Sequence, residues 1–193
     1  MMRGRIIIVT GIPGVGKTAV LDELQRLAEQ EGKRLTLINY ASVMLDIARQ
    51  EGRVLERDEM RHMSIALQKE LQAKAADRIA ESIGRDGTVV IDTHMIVRTG
   101  LGYWAGLPSN VLNRLRPSLL VLLEAKPREI LLRRAKDRSR VRDRVLVDEI
   151  RTEIELSRSV AAACATLTGA PVRMVMNSQG RLVETAEQLL KLI

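Results

Sequence analysis

The run Gly11-Ile-Pro-Gly-Val-Gly-Lys-Thr18 limits what this chain can fold into more than any other feature. It fits G-x-x-x-x-G-K-[ST], the phosphate-binding loop, a pattern that carries weight only between a strand and a helix. Both flanks are present. Residues 5–10 (Arg-Ile-Ile-Ile-Val-Thr) are apolar and β-branched, as in a strand buried on both faces. Residues 19–30 set Val20, Leu21, Leu24, Leu27 and Ala28 on one helical face. The glycines let N–H groups turn inward around a phosphate chain, and the helix N-terminus adds partial positive charge. Gly11, Ile12, Pro13, Gly14, Val15, Gly16, Lys17, Thr18 and Ala19 are therefore the candidate nucleotide-binding residues. Lys17 is placed to reach the β- and γ-phosphates of ATP, and the Thr18 hydroxyl to ligate Mg²⁺.

The length of 193 residues suits one domain with a good core, and 46% hydrophobic residues argue against disorder. No apolar run approaches a membrane span, and nothing before the glycine loop reads as a signal peptide. The single cysteine, Cys164, has no internal disulfide partner and sits in an alanine-rich run, which suits a small core residue. A cytoplasmic enzyme is the simplest expectation. The net charge of +7 invites a nucleic-acid reading, but no Phe, two Tyr and one Trp leave few platforms for base stacking. Arginine-rich recognition of phosphate substrates explains the charge better, and no obligatory nucleic-acid partner is expected.

Strand and helix patterns alternate along the chain. Strands are expected at 6–10, 35–38, 88–92, 118–124 and 172–176. Helices are expected at 17–31, 42–50, 58–83, 128–136, 146–168 and 182–192, with Asp58 as N-cap and Gly84 as terminator of the long third one. Five apolar strands separated by helices imply an α/β fold: a five-stranded parallel sheet with helices on both faces, of the P-loop NTPase kind. Ligands then bind at the carboxyl ends of the strands, where the motif loop, the residues after Asp92 and the segment after Lys126 emerge.

Val89-Val-Ile-Asp92 is an apolar strand ending in an acid, and Asp92 is a candidate to hold Mg²⁺ directly or through water. The following stretch, 93–108, reads as a glycine-rich loop carrying Arg98, a candidate for a second phosphate. Tyr103 and Trp104 lie in the same stretch and suit either a base pocket or a packing role. His94 could touch a substrate, although a hydrogen bond to nearby backbone is the simpler role. Residues 133–144 hold six arginines against Asp137 and Asp143. A solvated face would balance its charges better. Arg134 and Arg138, four apart on a helix, with Arg140, Arg142 and Arg144 beyond, suit a short lid that closes over a transferring phosphoryl group.

Together these parts resemble the nucleoside monophosphate kinases, and most closely the archaeal type of adenylate kinase. The resemblance rests on residues 9–18, Asn39-Tyr40, Met44-Leu45, Arg57-Asp-Glu-Met-Arg61, Ile91-Asp-Thr-His94, Gly102-Tyr103, Gly106-Leu-Pro108, Asp137, Arg140, Arg142 and Asp143, with Leu167-Thr-Gly-Ala170, Asn177 and Gly180 near the end. In that family two arginines lie seven and eleven residues after a proline; Pro127 puts them at Arg134 and Arg138. One position departs: Met44-Leu45 is followed by Asp46, where bacterial and eukaryotic members carry an arginine for the AMP phosphate. Arg57, Arg61 and Arg98 are the candidates to replace it, Arg61 and Arg98 above all, with Tyr40 and His94 also on the substrate side.

The resemblance implies transfer of the γ-phosphoryl group of ATP to AMP, giving two ADP, with Mg²⁺. It also implies a single kinase domain over 1–193, an acceptor segment at about 40–83, a short lid at about 134–145, and a homotrimer. Lys17, Arg134, Arg138, Arg140 and Arg142 would be catalytic. The acceptor oxygen of AMP is already ionised near neutral pH, so no general base is required. A kinase acting on another small acceptor and an RNA-associated NTPase are the alternatives.

Overall fold

The computed structural model describes residues 4–53, 63–84, 87–100, 102–136 and 146–193. Seven strands and seven helices are found among them: β1 (Arg5–Thr10), α1 (Lys17–Gln30), β2 (Leu35–Asn39), α2 (Tyr40–Gln50), α3 (Ile65–Ser82), β3 (Thr88–Asp92), β4 (Ile96–Thr99), β5 (Gly102–Ala105), α4 (Ser109–Leu115), β6 (Leu119–Glu124), α5 (Pro127–Lys136), α6 (Val147–Thr168), β7 (Val172–Met176) and α7 (Leu182–Leu190). Five of the strands form the expected parallel sheet, in the order β2-β3-β1-β6-β7.

Alternation along each strand divides the core in two. Ile6, Ile8, Val89, Ile91, Leu120 and Leu122 face α2, α3, α4 and α6. Ile7, Val9, Val90, Val121 and Leu123 face α1, α5 and α7. Both faces of β1 are thus covered, which explains why residues 6–9 are apolar without a break. Cys164 is 3% exposed within the first of these clusters, and burial pushes its thiol pKa up, as suits a packing residue.

The structure corrects the expectation at several points. α3 begins at Ile65, not 58: the Ser64 hydroxyl accepts from the Leu67 N–H at 3.3 Å and takes the N-cap role, while Asp58 lies outside the described residues. The same helix ends at Ser82 because Ile83 is already extended, one residue before Gly84. α2 begins two residues earlier than its apolar pattern suggested. Asn39 caps it, its Oδ1 accepting from the Ser42 N–H at 3.0 Å. The stretch read as a glycine-rich loop contains an antiparallel hairpin, β4-β5, with Arg98 opposite Tyr103 and Val97 opposite Trp104. α4 follows it, and the only non-glycine residue with positive φ among those described, Arg116 (φ 50°), closes that helix.

Candidate active site

The connection from β1 to α1 is built by two glycines in the left-handed region, Gly14 (φ 86°) and Gly16 (φ 91°). Neither tolerates a side chain. A Cβ on Gly14 would lie 2.8 Å from the Arg134 Cγ, and one on Gly16 would lie 2.6 Å from the Asn177 Nδ2. Between them Val15, 1% exposed, is driven into the core and anchors the turn. Gly16 is the N-cap of α1 and Lys17 its first residue, so the loop delivers the helix N-terminus to the carboxyl edge of the sheet.

The carbonyls of this loop are held by side chains from three other parts of the fold. His94 Nδ1 lies 2.8 Å from the Gly11 carbonyl, and because a carbonyl only accepts, Nδ1 is the donor. Arg134 Nε donates to the Pro13 carbonyl at 2.8 Å. Arg133 Nη1 and Asn177 Nδ2 both donate to the Val15 carbonyl at 2.8 Å. Carbonyls engaged by these donors are less free to turn their negative ends toward an anion in the cavity.

His94 depends in turn on the hairpin. Gly106 donates its N–H to the Met95 carbonyl at 2.8 Å, so close to the preceding peptide that a Cβ there would collide with the His94 carbonyl oxygen. Gly106→Ala is expected to cost about 1–3 kcal/mol, as overpacking does, and to lower turnover by shifting His94 off the loop. Urea denaturation checks the first effect; an unchanged midpoint would mean the backbones part without strain.

Lys17, 9% exposed, pairs with Asp92 at the end of β3. The other Asp92 oxygen accepts from Asn39 Nδ2 at 2.7 Å. Parallel pairing of β1, β3 and β2 puts Val9, Asp92 and Asn39 in one register, and this sets the three groups side by side. Thr18 and Ala19 are exposed on the first turn of α1, at the cavity wall.

A cavity of about 490 Å³ runs from this loop to α2, α3 and the hairpin. Ile12, Pro13, Gly14, Gly16, Lys17, Thr18, Ala19, Tyr40, Asp92, His94, Arg98 and Tyr103 all line it, so most of the expected site residues converge. Gly11 and Val15 lie just outside, in the loop's support. Tyr40 is 2% exposed, its ring in the wall and its hydroxyl donated to the Gln72 carbonyl at 2.5 Å. Burial, with Asp77 nearby, pushes its phenol pKa well above the ordinary value, so it stays a neutral donor. Arg98 pairs with Glu149 at 3.1 Å on the exposed rim, and that hydrogen bond raises its pKa further.

Arg134 does not face the cavity as the spacing from Pro127 suggested. Besides the Pro13 carbonyl it binds Glu153 at 2.5 Å, with side chains 7% and 8% exposed, and it is Arg133 that lines the wall. Helix phase decides this, since neighbours on α5 point about 100° apart. Arg61, Arg138, Arg140 and Arg142, with Arg57, His62 and Arg144, lie outside the described residues. Residues that sequence reasoning left without a role are Arg133, Glu153, Asn39, Gln68 and Gln72. The spacing of the two glutamines, i and i+4 on an otherwise apolar helix face, was the available signal.

The model of the AAA domain family matches residues 10–151. Among curated proteins, the adenylate kinase of Saccharolobus solfataricus is 44% identical over 183 residues, 91% of this chain and 92% of its own. That of Methanopyrus kandleri is 40% identical over 191 residues, 98% of each chain. That of Methanocaldococcus jannaschii is 36% identical over 192 residues, 100% of each. Among solved structures, a shikimate kinase from Bacteroides thetaiotaomicron has a TM-score of 0.60 at 17% identity and covers 97% of both chains, a likeness of fold alone.

Proposed function

Because the chain belongs to the adenylate kinase family, we propose that the residues gathered at the glycine loop carry out that family's reaction. The chain is an ATP:AMP phosphotransferase, reversibly converting ATP and AMP to two ADP. The observation that carries the site assignment is the continuous cavity from the loop to the α2, α3 and hairpin wall, with room for donor phosphates at one end and an acceptor at the other.

The N–H groups of residues 14–18 and the α1 N-terminus hold the donor phosphates. Lys17 leaves Asp92 for the phosphates as they enter and stabilises charge on the transferring group. Arg98, and with it Arg61, takes the AMP phosphate, while Tyr40 and His94 shape and support the acceptor end. Arg138, Arg140 and Arg142 serve as the lid. Arg134 acts through Pro13, holding the loop in shape. No residue is needed to remove a proton, because the AMP phosphate is doubly ionised above its second pKa of about 6. In-line placement and exclusion of water do the remaining work.

Mg²⁺ fits this site. Thr18 and Asp92 offer hard oxygens at the cavity wall. That is the arrangement of an ion held by a carboxylate or two and by substrate phosphates. When bound, it neutralises phosphate charge. A cytoplasmic place of action belongs to the same reading. So does a homo-oligomer, trimeric as the resemblance implies. Met174 (59% exposed) and Met176 (47%) on the edge strand β7 give such an assembly an apolar surface; sedimentation checks the count.

The deciding experiment follows ADP formation from Mg-ATP with each of a panel of nucleoside monophosphates, beside a control without acceptor. Rapid ADP formation with AMP is expected. Turnover without any acceptor, or none with any monophosphate, rejects the assignment.

A further inference from the structure

Asn39 ends β2, Asp92 ends β3, and the two are partners across that parallel pair. The Asn39 side chain is half-buried at the cavity wall. Its Nδ2 donates to Asp92 Oδ2 at 2.7 Å, while its Oδ1 accepts from the Ser42 N–H at 3.0 Å and the Ser42 hydroxyl at 3.1 Å. The partners fix the orientation of the amide, because a carboxylate only accepts and a backbone N–H only donates. The bond to Asp92 is short and charge-assisted, so it restrains the plane of the carboxylate. The other oxygen of that carboxylate faces Lys17. α2 starts at the next residue, Tyr40, whose hydroxyl ties it to the Gln72 carbonyl of α3 at 2.5 Å. One chain of contacts thus runs from Lys17 through Asp92 and Asn39 to the two helices at the far end of the cavity.

A helix cap alone would not call for asparagine at 39. Serine and aspartate cap about as well. Aspartate would set a second carboxylate against Asp92, and a serine hydroxyl, one bond shorter, would leave Asp92 without this donor. Asparagine carries an acceptor and a donor on one rigid plane and serves both neighbours at once.

We infer that Asn39 is a positioning residue. It fixes the span between the donor phosphates and the acceptor wall, through Asp92 on one side and the start of α2 on the other. The inference rests on the adenylate kinase reading above. With no general base at work, in-line placement supplies much of the rate, and a misplacement of about 1 Å can cost about a hundredfold. When Lys17 turns to the phosphates, Asp92 keeps Asn39 as a donor and so keeps its aim. Neither substrate has to touch Asn39 for this, so its loss lowers kcat and leaves each affinity alone.

The test uses Asn39→Ser, which keeps a capping oxygen and loses the donor to Asp92. Its kcat for ADP formation is expected to fall about ten- to a hundredfold. Calorimetric Kd values for AMP, and for the magnesium complex of adenylyl imidodiphosphate, are each expected to stay within about threefold of wild type. In an Asp92→Ala background the same substitution should change kcat by less than about threefold, because nothing is left for the Asn39 nitrogen to aim. A single-variant kcat within about threefold of wild type overturns the inference, as does a loss carried by weaker AMP binding or one repeated in full on Asp92→Ala. Should Asp92→Ala give too little ADP to measure, the split between kcat and the two Kd values decides. Should Asn39→Ser not fold, Asn39→Asp takes its place; it keeps size and cap but turns the donor into an acceptor, and a kcat within about threefold of wild type overturns the inference. A wild type that makes no ADP from AMP rejects the adenylate kinase reading and this one with it. An active wild type matched by its Asn39 variants rejects this one alone.

Discussion

Lys17→Met will lower ADP formation by about a thousandfold or more while the fold survives. Methionine keeps the length and packing of the stem and removes the ammonium, the one side-chain cation in the P-loop itself. With no general base in the mechanism, catalysis rests on positioning and positive charge, so losing a charge at the reacting phosphates has few compensations. Stability should fall only modestly. Asp92 loses its ion-pair partner but keeps the Asn39 donor at 2.7 Å and remains beside the cavity. The cost of a partly satisfied carboxylate is about 1–3 kcal/mol, within the total stability of an ordinary domain, about 5–15 kcal/mol. Circular dichroism and the coupled ADP assay on the same preparation check both halves. Activity retained above about a tenth of wild type would remove Lys17 from the mechanism.

The second large effect concerns stability. Arg134→Ala will cost about 3–5 kcal/mol, because it strands Glu153 as an unpaired charge in a site where both side chains are more than nine-tenths buried. It also frees the Pro13 carbonyl and opens a space against Gly14, so the loop should loosen and turnover fall. The double variant Arg134→Met with Glu153→Gln removes both charges and should regain most of the stability. It should not regain activity, since nothing then holds Pro13. Guanidinium unfolding and kcat on the three proteins separate the two roles. A single variant within about 1 kcal/mol of wild type would show that Glu153 is not left stranded.

These two residues illustrate what could be read before the structure. Lys17 belongs to a motif whose determinants all lie within about 25 residues: a β-branched strand, two glycines that must adopt positive φ, and an amphipathic helix. The parallel sheet was legible for the same reason, since a strand covered on both faces needs an unbroken apolar run, as residues 6–9 of β1, 89–91 of β3 and 119–123 of β6 are. The hairpin β4-β5 was not. Its four-residue strands contain Arg98, Thr99 and Gly102, and alternation over so short a stretch does not distinguish it from a loop. The starts of α2 and α3 were missed because cap residues, not hydrophobic periodicity, decide them.

By itself, then, the sequence determined the loop, the layered sheet and the reaction class, because each is written in neighbouring residues or in a period. Only the tertiary structure decided how the site is held together. The Val15 carbonyl is bonded by Arg133 and Asn177, 118 and 162 residues further along the chain. Of two adjacent arginines, Arg134 turned to Glu153 and Arg133 to the cavity. Gln72 was left with a buried oxygen and no partner. Nothing local distinguishes these outcomes. They follow from how a helix is rotated against the sheet, and that rotation is set by the packing of the whole core.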